Sequence, residues 1–380
     1  MNAFKFNGKG SEFFGIWIVN VLLSIITLGI YSAWAKVRTN KYFYGNTELA
    51  GETFDYHATP GKILIGRLIA MVCVFIWAFS AAISPEFQAA LLVAFVLVMP
   101  ALMFMNTRFD ARMTSYRHIR FNFEGSIWGF YLLVLGFPLA AFAVFIGIGA
   151  LAGLVIGESM GLLVLVPIYA VGGIFGFSWW RFKLDNFLAN GYRYGTLKFK
   201  AEPSYKAYLA TFSLASLIAI GAIAVPFIFV IVIGFSSMLA SLGDLDESMM
   251  ILLGAFGVFG AFAAYILMFV IGQLINAFIN VRIRNHLFSQ TILDHESQPR
   301  LKSTMTVSGY LGLVITNFLL LIVSFGIARA HVKVRTAIFL ADHTEVEGDL
   351  SAVIAYGESE YQDSAICDEM AAAFDLEVGL

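Results

Sequence analysis

The stretch Gly29-Ile30-Tyr31-Ser32-Ala33-Trp34-Ala35-Lys36-Val37-Arg38-Thr39 lines up without gaps on Gly326-Ile327-Ala328-Arg329-Ala330-His331-Val332-Lys333-Val334-Arg335-Thr336. Fixed-period self-similarity marks a repeated structural unit and comes before any motif. The register runs outward from the match, pairing Asn20 with Asn317, Leu22-Leu23 with Leu319-Leu320, Thr47 with Thr344 and Gly51 with Gly348. The repeated units therefore lie around 4–51 and 305–348. A weaker echo, Asn280-Val281-Arg282 followed by Phe288 and Thr291, stands farther upstream. In each copy an apolar run precedes the Val-Arg pair, which reads as the point where the chain leaves a membrane.

Composition supports a membrane setting. Of the 380 residues, 59% are hydrophobic and only 13% charged, and the mean hydropathy is +0.80. These values exclude a set of soluble domains. A net charge of −2 excludes a nucleic-acid binder. Cys73 and Cys367 supply neither a disulfide framework nor a metal cluster. Crossing a ~30 Å hydrocarbon layer takes about 20 helical residues. Runs of that kind occur near 14–35, 63–83, 87–106, 127–156, 160–180, 207–242, 249–279 and 310–330.

The connections between these eight runs alternate in charge. Ser84-Pro85-Glu86, Gly157-Glu158-Ser159 and Gly243-Asp244-Leu245-Asp246-Glu247-Ser248 hold no Lys or Arg. The connections at 36–62, 107–126, 181–206 and 280–309 hold most of the basic residues, and the positive-inside rule places those four in the cytoplasm. They also carry alternating runs, Phe4-Lys5-Phe6-Asn7-Gly8, Phe121-Asn122-Phe123-Glu124-Gly125 and Leu197-Lys198-Phe199-Lys200, which read as strands.

The expected fold is an all-α integral membrane protein with eight embedded segments, three of the pairs being hairpins of full spans, plus a short cytoplasmic β-strand collar. Two readings of the first and last segments stay open. A full crossing suits their length; a re-entrant hairpin keeps every Lys and Arg on one side. Residues 1–340 form the membrane domain. Residues 341–380 form an acidic tail, with eleven acids and no Lys or Arg from Asp342 onward. Ile366, Met370, Ala373 and Phe374 there share a helical face, so a short amphipathic helix docking on the basic loops is expected.

Polar residues inside apolar runs must face other helices, a cavity or a ligand. Asn20, Ser24 and Thr27 form such a stripe, Asn317 and Ser324 repeat it, and Gln273, Asn276 and Asn280 make a third. Interhelical hydrogen bonds explain any one of them; three stripes together point to a shared polar cavity. Arg67 lies one turn into the second segment. Snorkelling toward the head groups is the favoured account of it; in the same geometry Lys62 and Arg67 with Arg38 or Lys41 would make a pocket for a lipid phosphate or small anion. Phosphate loops, zinc-binding His-Glu-x-x-His, nucleophile elbows and Cys-x-x-Cys are absent from the sequence, as are acids buried mid-span, so no enzyme, cofactor or metal site is expected.

The strings quoted above for residues 29–38, with Tyr44-Gly45-Asn46-Thr47, the run from Phe54-Asp55-Tyr56-His57-Ala58-Thr59-Pro60-Gly61 to Lys62-Ile63-Leu64, and the closing Ala373-Phe374-Asp375-Leu376-Glu377-Val378-Gly379-Leu380, resemble the YjgN-like family of bacterial inner-membrane proteins, defined by a domain of unknown function. The resemblance implies a multi-pass inner-membrane location and carries no activity. From the residues themselves, the first expectation is a transporter or channel-like protein handling a lipid or small amphipathic anion. The alternative is a non-transporting scaffold that binds a protein partner through its collar and acidic tail, with membrane lipids around either.

Overall fold

The computed structural model describes residues 1–156, 158–222 and 247–350. Along them one unit, strand, helix out, helix back, strand, occurs five times. The first unit is β1 (Asn2–Phe6), α1 (Gly10–Ile26), α2 (Ser32–Gly45) and β2 (Thr47–Leu49). The second is β3 (Glu52–Tyr56), α3 (Pro60–Ser80), α4 (Pro85–Met113) and β4 (Thr114–Tyr116). In the third, β5 (Ile119–Phe123) leads to α5 (Ile127–Tyr131), a π-helical turn (Leu132–Gly136), α6 (Phe137–Ile156), α7 (Glu158–Gly191) and β6 (Tyr192–Tyr194). The fourth holds β7 (Leu197–Ala201), α8 (Tyr205–Ala222), α9 (Glu247–Ser289) and β8 (Thr291–Leu293). The fifth is β9 (Arg300–Ser303), α10 (Val307–Val323), α11 (Arg329–Asp342) and β10 (Thr344–Glu347).

Every strand pairs antiparallel with its neighbours in sequence, and the ten close into one barrel. β1 completes the circle, with Asn2 and Ala3 facing Val346 and Glu345 of β10, and Phe4 and Phe6 facing Leu49 and Thr47 of β2. Closure removes the edges that strands of three to five residues would otherwise expose. Between units the chain turns tightly: Ala50 and Gly51 at φ 52° and 87°, Arg117 and His118 at φ 50° and 64°. Two successive positive φ values give the two-residue hairpin whose twist matches the strands.

The same local chemistry ends four of the five returning helices. Thr47, Thr114, Thr291 and Thr344 open the returning strands of four units, and their hydroxyls donate to the carbonyls of Phe43, Asp110, Leu287 and Leu340 at 2.6–2.9 Å. Each bond satisfies one of the carbonyls that a helix C-terminus leaves without an intrahelical partner. At the outgoing ends, Ser126 and Thr306 accept the backbone N–H of Gly129 and Gly309, both at 3.2 Å, as N-caps do.

Neighbouring units interlock in a ring. A fully buried small residue sits at the matching place on every returning helix: Ala33, Pro100, Ser178, Ala277 and Ala330. One turn closer to the barrel, the returning helix meets the next outgoing one. Val37 clusters with Ile63, Phe104 meets Phe130 with ring centroids 5.8 Å apart, Phe182 meets Tyr208 at 5.7 Å, and Val334 clusters with Phe13. The last of these joins the fifth unit to the first.

Alternation along the strands fills the barrel in two layers of five. Phe4, Phe54, Phe121, Phe199 and Leu301 come from the outgoing strands, and Leu49, Tyr116, Tyr194, Leu293 and Val346 from the returning ones. Tyr116 donates to the Leu49 carbonyl at 2.8 Å and Tyr194 to that of Tyr116 at 3.1 Å, so the buried phenols keep their polar ends paired. Burial pushes the Tyr194 phenol up to about 12.

Three expectations are corrected. The protein is not all-α, because the alternating runs close into a ten-stranded barrel; that barrel is a body on which all five helix pairs stand, not a cytoplasmic collar of loose strands. Among the described residues, six helices rather than eight are long and apolar enough to cross a membrane. The runs 14–35 and 310–330 are not single segments. Leu28 and Gly29 at φ 51° and 93°, and Phe325 and Gly326 at φ 51° and 83°, break them, leaving apolar helices of 17 residues followed by polar returning helices of 14. An average of hydropathy over a window does not register such a reversal. The expected tail helix at 363–374 lies outside the described residues.

Phe130 is fully buried at a joint, so Phe130→Ala should cost about 3–5 kcal/mol, whereas Lys198→Ala on the exposed side of β7 should stay within about 0.5 kcal/mol. Thermal unfolding of the purified variants in detergent checks both.

Candidate functional site

Where the fifth unit closes onto the first, the helices surround an open cavity of about 710 Å³. Trp17, Asn20, Val21 and Ser24 line it from α1, Ser32, Lys36, Asn40 and Tyr44 from α2, Arg67 from α3, Asp110 from α4, and Arg329 and Lys333 from α11. Four cations face one acid. Lys36 and Lys333 are the same residue of the repeat, and the fivefold match puts Asn280 at that place on α9 and Asn276 one turn farther out, where α11 has Arg329.

The expected polar stripes divide into two groups. Asn20 and Ser24 line the cavity. Asn20 is 5% exposed; its amide donates to the Ala35 carbonyl at 3.5 Å, while its Oδ1 has no hydrogen-bond partner in the structure. Asn317, its repeat mate, donates to the Thr336 hydroxyl at 3.2 Å, so both amides tie an outgoing helix to its returning one. Thr27 and Ser324 sit at the reversals, where their hydroxyls accept the N–H of Tyr31 and Ala328 at 2.9 and 3.0 Å. Gln273, Asn276 and Asn280 share a face of α9, with Asn280 donating to Asn276 at 2.7 Å. Of the expected basic cluster, Arg67 alone lines the cavity. Arg38, Lys41 and Lys62 lie elsewhere, and Lys36, Arg329 and Lys333 take the places expected for them.

Below the cavity lies an apolar chamber of about 360 Å³, sharing Tyr44 and Asp110 with it and floored by Phe54, Phe121, Phe199 and Leu301 of the upper barrel layer. Tyr44 stacks on Tyr56 with centroids 5.5 Å apart. Tyr192 borders the chamber, and burial pushes its phenol up to about 12. Beneath it the two layers of side chains pack on one another inside the barrel.

A second polar cluster escaped the sequence reading. Asp185 of α7 is fully buried; it pairs with Arg181 at 3.0 Å and accepts the Tyr208 hydroxyl at 3.0 Å. The i, i+4 spacing of Arg181 and Asp185 was visible, but Tyr208 arrives from the next unit. This cluster lies at the joint between the third and fourth units and outside the cavity lining, so its chemistry is that of a buried ion pair at a helix joint.

A closed barrel carrying helix pairs, six of those helices long and apolar enough to span a bilayer, defines an integral membrane protein of unusual construction. The family model "Bacterial protein of unknown function (DUF898)" matches residues 1–373, and the chain belongs to that family. It is 27% identical over 369 residues to "Inner membrane protein YjgN" of Salmonella typhimurium, covering 92% of this chain and 89% of that protein. Identity to the protein of the same name from Escherichia coli (strain K12) is 27% over 389 residues, 95% and 92% of the two. No solved structure matches.

Removing one partner of a buried pair leaves the other charge uncompensated. Asp185→Ala should therefore destabilise the protein by about 3 kcal/mol or more, and Tyr208→Phe by about 1–2 kcal/mol. Chemical denaturation followed by tryptophan fluorescence measures both.

Proposed function

We propose that this protein is a bacterial inner-membrane transporter that moves a lipid or a small amphipathic anion by way of the basic cavity, with the basic connections in the cytoplasm. The observation that carries the reading is the convergence of Lys36, Arg67, Arg329 and Lys333 on one open cavity with Asn20 and Ser24 beside them. Four cations against one acid set a field that draws anions. The packed barrel counts against a pore along the axis and favours exchange through the side of the helix ring. The name "Inner membrane protein YjgN" borne by the relatives and the excess of Lys and Arg in the connections support the location and the orientation.

Reconstitution tests the proposal. Proteoliposomes should show flux of fluorescent anionic lipid or amphipathic anion above protein-free vesicles, and Lys36→Gln with Lys333→Gln should lower it at least tenfold. Rates that stay flat across both classes would sink the transport reading. For orientation, an impermeant maleimide should reach Cys367 only after spheroplasts are lysed; labelling of intact spheroplasts would reverse it.

A further inference from the structure

The wall of helices around the cavity is uneven. On the returning side α4, α7 and α9 have 29, 34 and 43 residues, but α2 and α11 have only 14 each. At 1.5 Å per residue the short pair rises about 21 Å from the barrel. The repeat shows where they stop. Ser32 and Arg329, the first residues of α2 and α11, match Asn276 on α9 and Phe177 on α7. On α7 and α9 the residues nearer the barrel include Arg181, Lys183, Asp185, Asn280, Arg282 and Arg284, and the residues farther out are almost wholly apolar. The short hairpins thus end at the level where the long helices change from polar to apolar, the level of lipid head groups.

Their tips are built for that level. Leu28 and Phe325 are 89% and 95% exposed, and Ile26 and Val323 beside them 74% and 77%. Large apolar side chains left bare in both copies, with Leu28 and Phe325 holding positive φ, fit the interfacial layer of a membrane and not water. The first and fifth units are neighbours through the β1–β10 pairing and the contact of Phe13 with Val334, so the two low places adjoin. The basic cavity lies directly beneath them.

We infer that the first and fifth hairpins form a lateral entrance through which an anionic diacyl phospholipid of the adjoining leaflet places its phosphate among Lys36, Lys333, Arg329 and Arg67, its acyl chains remaining in the leaflet above the tips. The inference rests on the cavity reading and adds the ligand class and its route. A lipid in this pose keeps the orientation it has in the leaflet, head toward the basic side, so it crosses no barrier to bind.

Photoactivatable phosphatidylglycerol, with a diazirine on one acyl chain, tests this on the full-length protein in nanodiscs of zwitterionic lipid. Cross-links read by peptide mass spectrometry should concentrate on the segments holding Leu28 and Phe325. Each of Lys36→Gln and Lys333→Gln should weaken capture about fivefold, since a cation near a membrane surface contributes about 1 kcal/mol toward anionic lipid. Unlabelled phosphatidylglycerol should compete, and glycerol phosphate or inorganic phosphate should not. Competition by the free phosphates would move the source of the ligand to solution and overturn the inference while leaving an anion cavity. Cross-links spread evenly over the outer faces of α3 and α4, unchanged in the charge variants, would overturn it as well; unfolding checks on those variants separate loss of site from loss of fold. Capture at the tips without flux in proteoliposomes would instead refute transport and leave the lipid site standing.

Discussion

Closure of the strand circle is the constraint on which everything else depends. Strands of three to five residues bury too little to stand alone, and an open edge would leave backbone groups of β1 and β10 unpaired. Pairing Asn2 with Val346 brings the first unit against the last. That single juxtaposition forces α11 beside α1, seats Phe13 under Val334, and assembles a cavity from residues about three hundred positions apart in the chain. The two hairpins that complete the circle are also the short ones, so the ring has one low side.

Side-chain size decides what the barrel can do. A ring of ten strands encloses a wide bore, but the two inward layers hold four phenylalanines, two tyrosines and four aliphatic residues. Their packing turns a channel-shaped element into a platform. Chemistry is displaced upward to the mouth, where the helices diverge and where Lys36, Arg67, Arg329 and Lys333 gather. The buried Asp185–Arg181–Tyr208 set looks functional by composition, yet it lies at the joint between the third and fourth units and outside the cavity lining.

Much of this was legible in the residues. The Gly29–Thr39 match with Gly326–Thr336 falls in the first and fifth units, the alternating runs Phe4-Lys5-Phe6, Phe121-Asn122-Phe123 and Leu197-Lys198-Phe199 fall in β1, β5 and β7, and Asn20 and Ser24 line the cavity. The second and third copies were hidden, and the fourth showed only as the weaker echo at Asn280-Val281-Arg282, because long apolar insertions separate the strand signals and little beyond small side chains such as Ala33, Pro100, Ser178, Ala277 and Ala330 preserves the helix register. Two-residue turns at Arg117 and His118 carry no glycine, so the usual hairpin signature is missing. Of the four basic residues named from the sequence, Arg67 lines the cavity. Arg38 and Lys41 share α2 with Lys36, but a turn of helix decides which side chain meets the cavity, and Lys333 and Arg329 enter only through closure.

The depth of the hairpin tips carries the account. With Cys73 and Cys367 replaced, a nitroxide attached at Leu28→Cys and, separately, at Phe325→Cys reports its distance from the bilayer surface through collisions with oxygen and with a water-soluble relaxing agent. Both labels should lie in the head-group region on the side of the basic connections, accessible to both agents. Depth at the bilayer centre, or emergence on the opposite side, would contradict the low wall and with it the lateral route to the cavity.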